Sequence, residues 1–260
     1  MVGLKEKVAV VTGGGMGIGQ AIAVALAQEG ANIVIFDIDM EAAKETACKI
    51  EDMGQEVLVC EADVSKAPSV DKATDQTLER FGHIDILINN AGITHPAVSI
   101  LDLDLEFLDK VTDVDLKGVY ICSRRIGKEM VGRQSGVIVN ISSVTALTPV
   151  PLVVYAPVKS AVIMLTRILA RDWAQKGVRV NAIAPGYILT PLLQGMFDKG
   201  LRNPDTILSH IPMKKFIMPS DIADAAVFLC SEKARFITGV TLPVDAGFSC
   251  EGGWKAYGYE

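Results

Sequence analysis

The stretch AVVTGGGMGIGQAIAVAL, residues 9–26, decides the fold, because it places five glycines in seven positions between two apolar runs. The run at residues 8–11 favours a strand, and the apolar period of residues 17–28 favours a helix. The glycines therefore form a strand-to-helix turn, although glycine costs either element about 0.5–1 kcal/mol relative to alanine. A bare turn allows the free N–H groups of a helix N-terminus to approach a phosphate closely. We expect this turn to lie against the pyrophosphate of a dinucleotide.

Short apolar runs alternate with longer helical patterns along the rest of the chain. The predicted strands are residues 8–11, 32–36, 56–60, 84–88, 137–141, 178–183 and 240–244. The predicted helices are residues 17–28, 40–53, 67–81, 103–130 (long enough for two helices), 155–175 and 220–230. Continuously apolar strands are typical of a parallel sheet that helices cover on both faces. The sequence thus predicts a single α/β domain over residues 1–260, a Rossmann-like doubly wound parallel sheet of about seven strands with helices on both faces.

Two segments depart from this alternation. Residues 187–218 carry three prolines with little regular period and leave from the carboxyl end of a strand, where ligands bind in such sheets. We interpret them as a substrate lid inserted into the domain. The tail, residues 248–260, carries Trp254, Tyr257 and Tyr259. Because a disordered end rarely has three aromatic residues so close together, we expect the tail to dock on a neighbouring subunit.

The composition argues against several classes of partner. The net charge is −6 and the lysines and arginines are scattered, which disfavours nucleic acids and anionic membranes. No apolar run approaches the about 18 residues that a membrane-spanning helix needs. The five cysteines are widely spaced and form no CxxC pair, so we expect reduced thiols, no metal site and a cytoplasmic location.

The second strand predicts the choice of dinucleotide. It ends at Asp37, 18 residues after Gly19. A carboxylate there accepts hydrogen bonds from both ribose hydroxyls of NAD and repels the 2′-phosphate of NADP. Asp39 adds to this repulsion, and no arginine stands nearby. The alternative interpretation is a turn aspartate that caps the next helix.

Tyr155 and Lys159 stand four residues apart at the start of a helical run, so they share one helix face. Upstream, the segment VIVNISS ends a buried strand with Ser142 and Ser143 at the same sheet edge as the glycine turn. A tyrosine that acts as a base near neutral pH needs its pKa lowered by about three units from about 10. A lysine ammonium one turn away contributes to that shift, and a serine hydroxyl can hold the substrate oxygen. The alternative is an incidental pair on a surface helix.

These residues belong to an ordered set of motifs: TGGGMGIG at residues 12–19, ADV at 62–64, NNAG at 89–92, YAPVK at 155–159 and NAIAPGYILT at 181–190. With this set the chain resembles the short-chain dehydrogenase/reductase family from about residue 7 to residue 247. The resemblance implies an oxidoreductase that transfers a hydride between a nicotinamide cofactor and a secondary alcohol or ketone. It also implies a homotetramer.

The resemblance assigns roles to individual residues. It implies that Ser143 polarises the substrate oxygen, that Tyr155 is the general acid/base beside the cofactor, and that Lys159 binds the nicotinamide ribose and lowers the pKa of the tyrosine. The implied cofactor contacts are Thr12, Gly13, Gly17, Ile18 and Gly19 for the pyrophosphate, Asp63 and Val64 for adenine, Asn89, Ala91 and Gly92 along the fourth strand's end, and Pro185, Gly186, Ile188 and Thr190 for the carboxamide. His95 and Tyr187 are the candidate substrate contacts.

Two positions depart from the family pattern. In VDLKG, residues 114–118, Asp115 stands where the family usually has an asparagine that holds a water of a proton relay. We expect Asp115 to keep this role with an altered proton affinity. Pro157 lies inside the catalytic motif, so the helix must begin just before Tyr155, because proline fits only the first helical turn.

Three functions fit these observations. The favoured one is an NAD-dependent dehydrogenase that acts on a polyol, a sugar-derived compound or another small hydroxy compound. An NADP-linked reductase of 3-oxoacyl thioesters or other ketones is the second, and Asp37 argues against it. The third is a non-catalytic NAD sensor, which the intact set of Ser143, Tyr155 and Lys159 disfavours.

Overall fold

The computed structural model describes residues 3–251, so the three aromatic residues of the tail lie outside the described part. The strands are β1 (Val8–Thr12), β2 (Asn32–Asp37), β3 (Val57–Glu61), β4 (Ile86–Asn89), β5 (Gly136–Ile141), β6 (Val178–Pro185) and β7 (Thr241–Val244). The α-helices are α1 (Gly17–Gln28), α2 (Met40–Glu51), α3 (Ala67–Phe81), α4 (Leu105–Thr112), α5 (Gly118–Arg133), α6 (Tyr155–Trp173), α7 (Pro191–Asp198), α8 (Pro204–Ser209) and α9 (Pro219–Cys230). Among the helices of the described residues, none has both the length and the apolar character to cross a membrane.

The seven strands form one parallel sheet in the order β3-β2-β1-β4-β5-β6-β7. The chain builds outward from β1 to β3, then returns to the other side of β1 and builds outward again to β7. The direction of winding therefore reverses between β1 and β4, and the carboxyl ends of these two strands form the crevice in which doubly wound sheets bind ligands.

The sheet is covered on both faces, as the apolar strands predicted. In β2, Ile33 and Ile35 pack into the core beneath α1, α2 and α9, whereas Val34 and Phe36 pack into the core on the opposite face, with α3, α5 and α6. All four side chains are fully buried. The predicted α/β doubly wound sheet of seven strands with helices on both faces is confirmed.

The predicted element bounds hold within two or three residues, with two exceptions. Residues 103–130 form neither one helix nor a simple pair, because α4 runs through a π-helical turn, Asp113–Lys117, into α5. Residues 187–218, for which the weak period predicted no helix, contain two short helices. Pro191 and Pro204 are the first residues of α7 and α8, a position where the missing N–H costs nothing.

The sheet edge opposite the crevice has an ionic cluster around one buried carboxylate. Asp85 accepts a hydrogen bond from Val8 N at 3.0 Å and lies within 3.0–3.4 Å of Lys7, His83 and Arg133. Burial raises the pKa of Asp85, but the Val8 N–H group and the three cationic side chains outweigh it and hold the pKa below its usual range. The cluster fixes the start of β4 against β1.

Candidate active site

The glycine turn after β1 is a bare cradle at the N-terminus of α1. Gly13 and Gly17 have φ values of +63° and +58°, which favour glycine. A Cβ atom on Gly19 would overlap the carbonyl oxygen of Gly13 and lie 2.5 Å from Asn90 Nδ2. Met16, the N-cap of α1, makes no capping bond with its side chain, and the first turn has no acidic residue. The first N–H groups of α1 thus remain available for the pyrophosphate of a dinucleotide.

Thr12 ties the two strand ends of the crevice together. Its Oγ1 accepts hydrogen bonds from Asn90 N and Ala91 N, both at 3.0 Å, and lies 3.3 Å from the carbonyl oxygen of Ile88. Asn90 Nδ2 in turn donates to the carbonyl oxygens of Thr12 and Gly13 at 3.0 Å. Asn90 was missing from the predicted contacts, although the motif NNAG contains it.

The first asparagine of that motif, Asn89, makes different contacts. The Asn89 side chain is buried and donates to Ser123 Oγ at 3.0 Å and to Asn140 Oδ1 at 2.8 Å. Asn140 Nδ2 donates to Thr166 Oγ1 of α6 at 2.9 Å, which extends this polar network. Asn89 thus offers the crevice its backbone, while its side chain links the sheet to the helix layer.

Asp37 lies at the carboxyl end of β2, against the glycine turn. Its Oδ2 accepts from Gly15 N at 2.8 Å and its Oδ1 from Asp39 N at 3.0 Å. A carboxylate has about four acceptor positions, so two remain free beside the turn. Asp39 instead caps α2, by accepting from Ala42 N at 3.1 Å. The capping role that was the alternative for Asp37 therefore belongs to Asp39.

The proposed adenine contacts follow β3. Asp63 Oδ1 accepts from Ser65 N at 2.9 Å and from Ser65 Oγ at 2.6 Å, which closes the turn before α3. Val64 is buried, and a Cβ atom on Gly118 would come within 2.9 Å of it. These bonds hold the turn at the carboxyl edge of the sheet, beside the end of β2.

Tyr155 and Lys159 stand one turn apart in α6, which begins at Tyr155 as Pro157 predicted. Lys159 is only 3% exposed, and its Nζ lies 5.3 Å from the centre of the Tyr155 ring. The ammonium donates to the carbonyl oxygen of Ile141, at the end of β5, at 3.0 Å. The incidental surface pair, the alternative for these two residues, does not fit a lysine buried to this degree.

The two serines after β5 have different surroundings. Ser142 Oγ donates to the carbonyl oxygen of Lys159 at 2.9 Å and so connects the end of β5 to α6. Ser143 Oγ accepts only a backbone bond, from Thr145 N at 3.2 Å, and its hydroxyl proton has no partner among the described residues. Ser143 is thus the serine whose hydroxyl is free to bind a substrate oxygen.

Asp115 lies in the π-helical turn, is fully buried and contacts Lys159 directly. Its Oδ1 accepts from Ile93 N at 2.8 Å, and its Oδ2 lies 3.0 Å from Lys159 Nζ as an ion pair rather than a well-aligned hydrogen bond. Desolvation raises the pKa of Asp115 above its usual range, although the nearby ammonium acts in the opposite direction. Burial lowers the pKa of Lys159, but Tyr155 and Asp115 outweigh burial and raise it. Lys159 therefore keeps its charge.

Of the two candidate substrate contacts, His95 is buried and only Tyr187 lines a cavity. His95 is 4% exposed, and its Nε2 lies 3.2 Å from Val154 N and 3.4 Å from Tyr155 N. Tyr187 meets Phe248 edge-on at 5.4 Å. It lines an open cavity of about 250 Å³ with Thr148, Thr206, Ile207, His210, Phe248 and Glu251.

The predicted carboxamide segment is held at the end of β6. Gly186 N donates to the carbonyl oxygen of Val244 at 2.9 Å, and a Cβ atom on Gly186 would lie 2.8 Å from the Asp245 backbone. Ile188 pairs with Ile217. Thr190 Oγ1 caps α7 by accepting from Leu193 N at 3.3 Å. This segment connects the sheet to the α7–α8 insertion.

Comparisons with known proteins agree with this geometry. A family model described as enoyl-(acyl carrier protein) reductase matches residues 13–249. The chain is 38% identical to a cis-4-hydroxycyclohexanecarboxylate dehydrogenase from Sinomonas cyclohexanicum, over 94% of this chain and 97% of that one. It is 36% identical to a 3-oxoacyl-(acyl-carrier-protein) reductase from Staphylococcus epidermidis, over 93% and 98%. The structure of a 3-ketoacyl-(acyl-carrier-protein) reductase from Brucella melitensis complexed with NADH superposes with a TM-score of 0.87 at 37% identity, covering 95% and 99%.

Proposed function

Since the chain belongs to the short-chain dehydrogenase/reductase family of oxidoreductases, we propose that it is an NAD-dependent dehydrogenase that oxidises a secondary alcohol, namely a polyol, a sugar-derived compound or another small hydroxy compound. The observation that carries this proposal is the buried ammonium of Lys159, one turn from Tyr155 and 5.3 Å from its ring. A buried cation at that distance favours the phenolate, which is the form of tyrosine that accepts a proton.

The chain's own residues divide the work as follows. Ser143 binds the alcohol oxygen and orients it, and Tyr155 Oη accepts the hydroxyl proton. Lys159 stabilises the negative charge of the phenolate that accepts this proton and holds the cofactor ribose, while Asp115 and the Ile141 carbonyl oxygen fix the ammonium. The bound cofactor would supply the hydride acceptor. The glycine turn fits its pyrophosphate, because side chains at Gly13 and Gly19 would collide with Asn90, Ala91 and the turn's own backbone and so distort the cradle.

NAD is favoured over NADP by Asp37. Its carboxylate is fixed by two backbone N–H groups and has two acceptor positions left, which suits two ribose hydroxyls. The same charge would face the 2′-phosphate of NADP. This argues against the alternative function, an NADP-linked reductase of 3-oxoacyl thioesters.

A small neutral hydroxy compound is favoured by the cavity beside Tyr187. Its lining combines the aromatic pair of Tyr187 and Phe248 with hydroxyl groups from Thr148 and Thr206, and it includes no lysine or arginine. Glu251 at its edge would repel an anionic substrate. We propose Tyr187 as the contact to the apolar part of the substrate.

Two further features bear on the proposed oligomeric state and on the proposed location of the protein. Met164 and Ile168 on α6 are more than half exposed, and a groove of about 280 Å³ opens beside them between α5 and α6. We propose that this apolar face is buried in a homotetramer, and light scattering would give the mass of the assembly.

Cys60, Cys122 and Cys230 are buried free thiols, as suits a reducing cytoplasm, which we propose as the location of the protein.

The test follows nicotinamide absorbance while the protein meets NAD or NADP with polyols, sugar acids, hydroxysteroids and simple secondary alcohols. Tyr155→Phe is the critical variant, and Tyr120→Phe, which removes the same hydroxyl group from the proposed subunit face on α5, is the matched control. We expect NAD-dependent turnover that falls by about 10²–10⁴ in Tyr155→Phe alone. Turnover that survives this change would refute the mechanism. Tight NAD binding without any turnover would favour the sensor function instead.

A further inference from the structure

His95 occupies a position that the proposed chemistry does not yet use. It lies in the loop after β4, 59 residues before Val154, yet its ring contacts the first residues of α6. Nδ1 lies 2.7 Å from the carbonyl oxygen of Pro96, and Nε2 lies 3.2 Å from Val154 N and 3.4 Å from Tyr155 N. The ring also packs against Phe107 of α4, with 6.3 Å between the centroids.

These contacts fix the protonation state of the ring. The Pro96 carbonyl oxygen can only accept, so Nδ1 carries the proton. The two backbone N–H groups can only donate, so Nε2 has a free lone pair. His95 is therefore neutral, with Nδ1 protonated.

The start of α6 needs such an acceptor. The first N–H groups of a helix have no partner within the helix, and an N-cap side chain usually accepts from one of them. Val154, the N-cap of α6, has no polar side chain and makes no capping bond. His95 supplies the acceptor from a distant part of the chain.

We infer that His95 is a positioning residue, which caps α6 and thereby fixes the backbone of Tyr155 relative to the loop after β4. The inference rests on the proposed function only in taking Tyr155 as the proton acceptor. The Tyr155 backbone carries the phenol, so a shift at the helix start displaces the reacting oxygen. Misplacement by about 1 Å can cost about a hundredfold in rate.

The test compares His95→Ala, which removes the acceptor, with His95→Gln, whose Oε1 can replace Nε2. The matched control is His83→Gln, a histidine at the opposite sheet edge that binds Phe81 O and Asp85. We expect His95→Ala to lower kcat at least about tenfold with less than about a threefold change in NAD affinity. His95→Gln should keep kcat within about threefold of wild type, because its amide oxygen can accept from the same two backbone N–H groups.

Three results would overturn the inference. One is an unchanged kcat in His95→Ala, and another is an equal loss in the glutamine and alanine variants. The third is a raised KM for the alcohol at unchanged kcat, which would make His95 the substrate contact that the sequence predicted.

A second readout does not depend on turnover. Hydrogen exchange at the amides of Val154 and Tyr155 should be faster in His95→Ala and restored in His95→Gln. If no alcohol reacts with wild-type protein, the proposed dehydrogenase fails, while this exchange pattern would still support the cap. Equal exchange rates in all three proteins would refute it.

Discussion

The choice between NAD and NADP depends on one carboxylate, and Asp37→Asn isolates its charge. The amide keeps the size of the carboxylate, and its oxygen can still accept from Gly15 N or Asp39 N, which hold Asp37 at 2.8 and 3.0 Å. The variant therefore removes the charge and one of the two backbone hydrogen bonds, while the side chain keeps its size. The expected result is a loss of preference for NAD without loss of the fold.

The expected loss of preference for NAD has two contributions. A hydrogen bond to a charged group contributes about 1.5–3 kcal/mol, so weaker ribose contacts should raise the KM for NAD about tenfold or more. Two unit charges about 4 Å apart repel by about 1 kcal/mol in water and about 4 kcal/mol at an effective dielectric constant of about 20. Asp37 is half-buried, which places it between these limits. The ratio of kcat/KM for NAD to that for NADP should fall by about two orders of magnitude, at about 1.36 kcal/mol per factor of ten.

The assay measures kcat/KM for both cofactors with the best alcohol, at low and high salt. Because part of the discrimination is Coulombic, the wild-type preference should shrink as salt increases. Asp39→Asn is the control, since Asp39 is exposed and caps α2, and it should change the ratio much less. An unchanged ratio in Asp37→Asn, or an equal effect of both variants, would refute the assignment.

Three further changes test other parts of the site and the fold. Asp115→Asn removes a negative charge beside the Lys159 ammonium, so the pH–rate profile for alcohol oxidation should move to lower pH; an unmoved profile would contradict this. Gly19→Ala should weaken NAD binding at least about tenfold by calorimetry because its Cβ overlaps the turn, whereas Gly132→Ala, in open space on α5, should leave binding unchanged. Because the pKa of Asp85 is lowered in the folded protein, its ionised carboxylate stabilises the fold fully above the usual aspartate pKa near 3.9. This stabilisation is lost as the pH falls through the lower, folded-state pKa. Asp85→Asn should cost about 1–3 kcal/mol of unfolding free energy near pH 7 and flatten that acidic loss in urea titrations.

The sequence predicted those parts of the molecule that local patterns encode. Continuous apolar strands indicated a sheet buried on both faces, and Pro157 placed the start of α6 at Tyr155. The two helices of the insertion at residues 187–218 were not predicted, because the segment shows little regular period, although Pro191 is a helix-initiating residue. A proline is compatible with a loop and with the start of a helix until the residues after it are known to be helical.

The tertiary contacts of the site were harder to predict from the sequence. No local pattern shows that Asp115 contacts Lys159, because a π-helical turn sets the direction of its side chain. His95 was proposed as a substrate contact because it follows NNAG, but its partners are backbone amides 59 and 60 residues away. A missing polar N-cap at Val154 is a sequence signal, since it shows that α6 needs an acceptor from elsewhere in the chain.

One short loop connects the glycine turn to α6. Asn90 holds the carbonyl oxygens of the glycine turn, and Ile93 N binds Asp115, which faces Lys159. His95 then binds the start of α6 at Tyr155. Because these contacts lie within six consecutive residues, a dinucleotide that fixes the glycine turn would also fix the lysine and the tyrosine. Changes at Asp115 and His95 should accordingly be non-additive in kcat, since both act through the same segment.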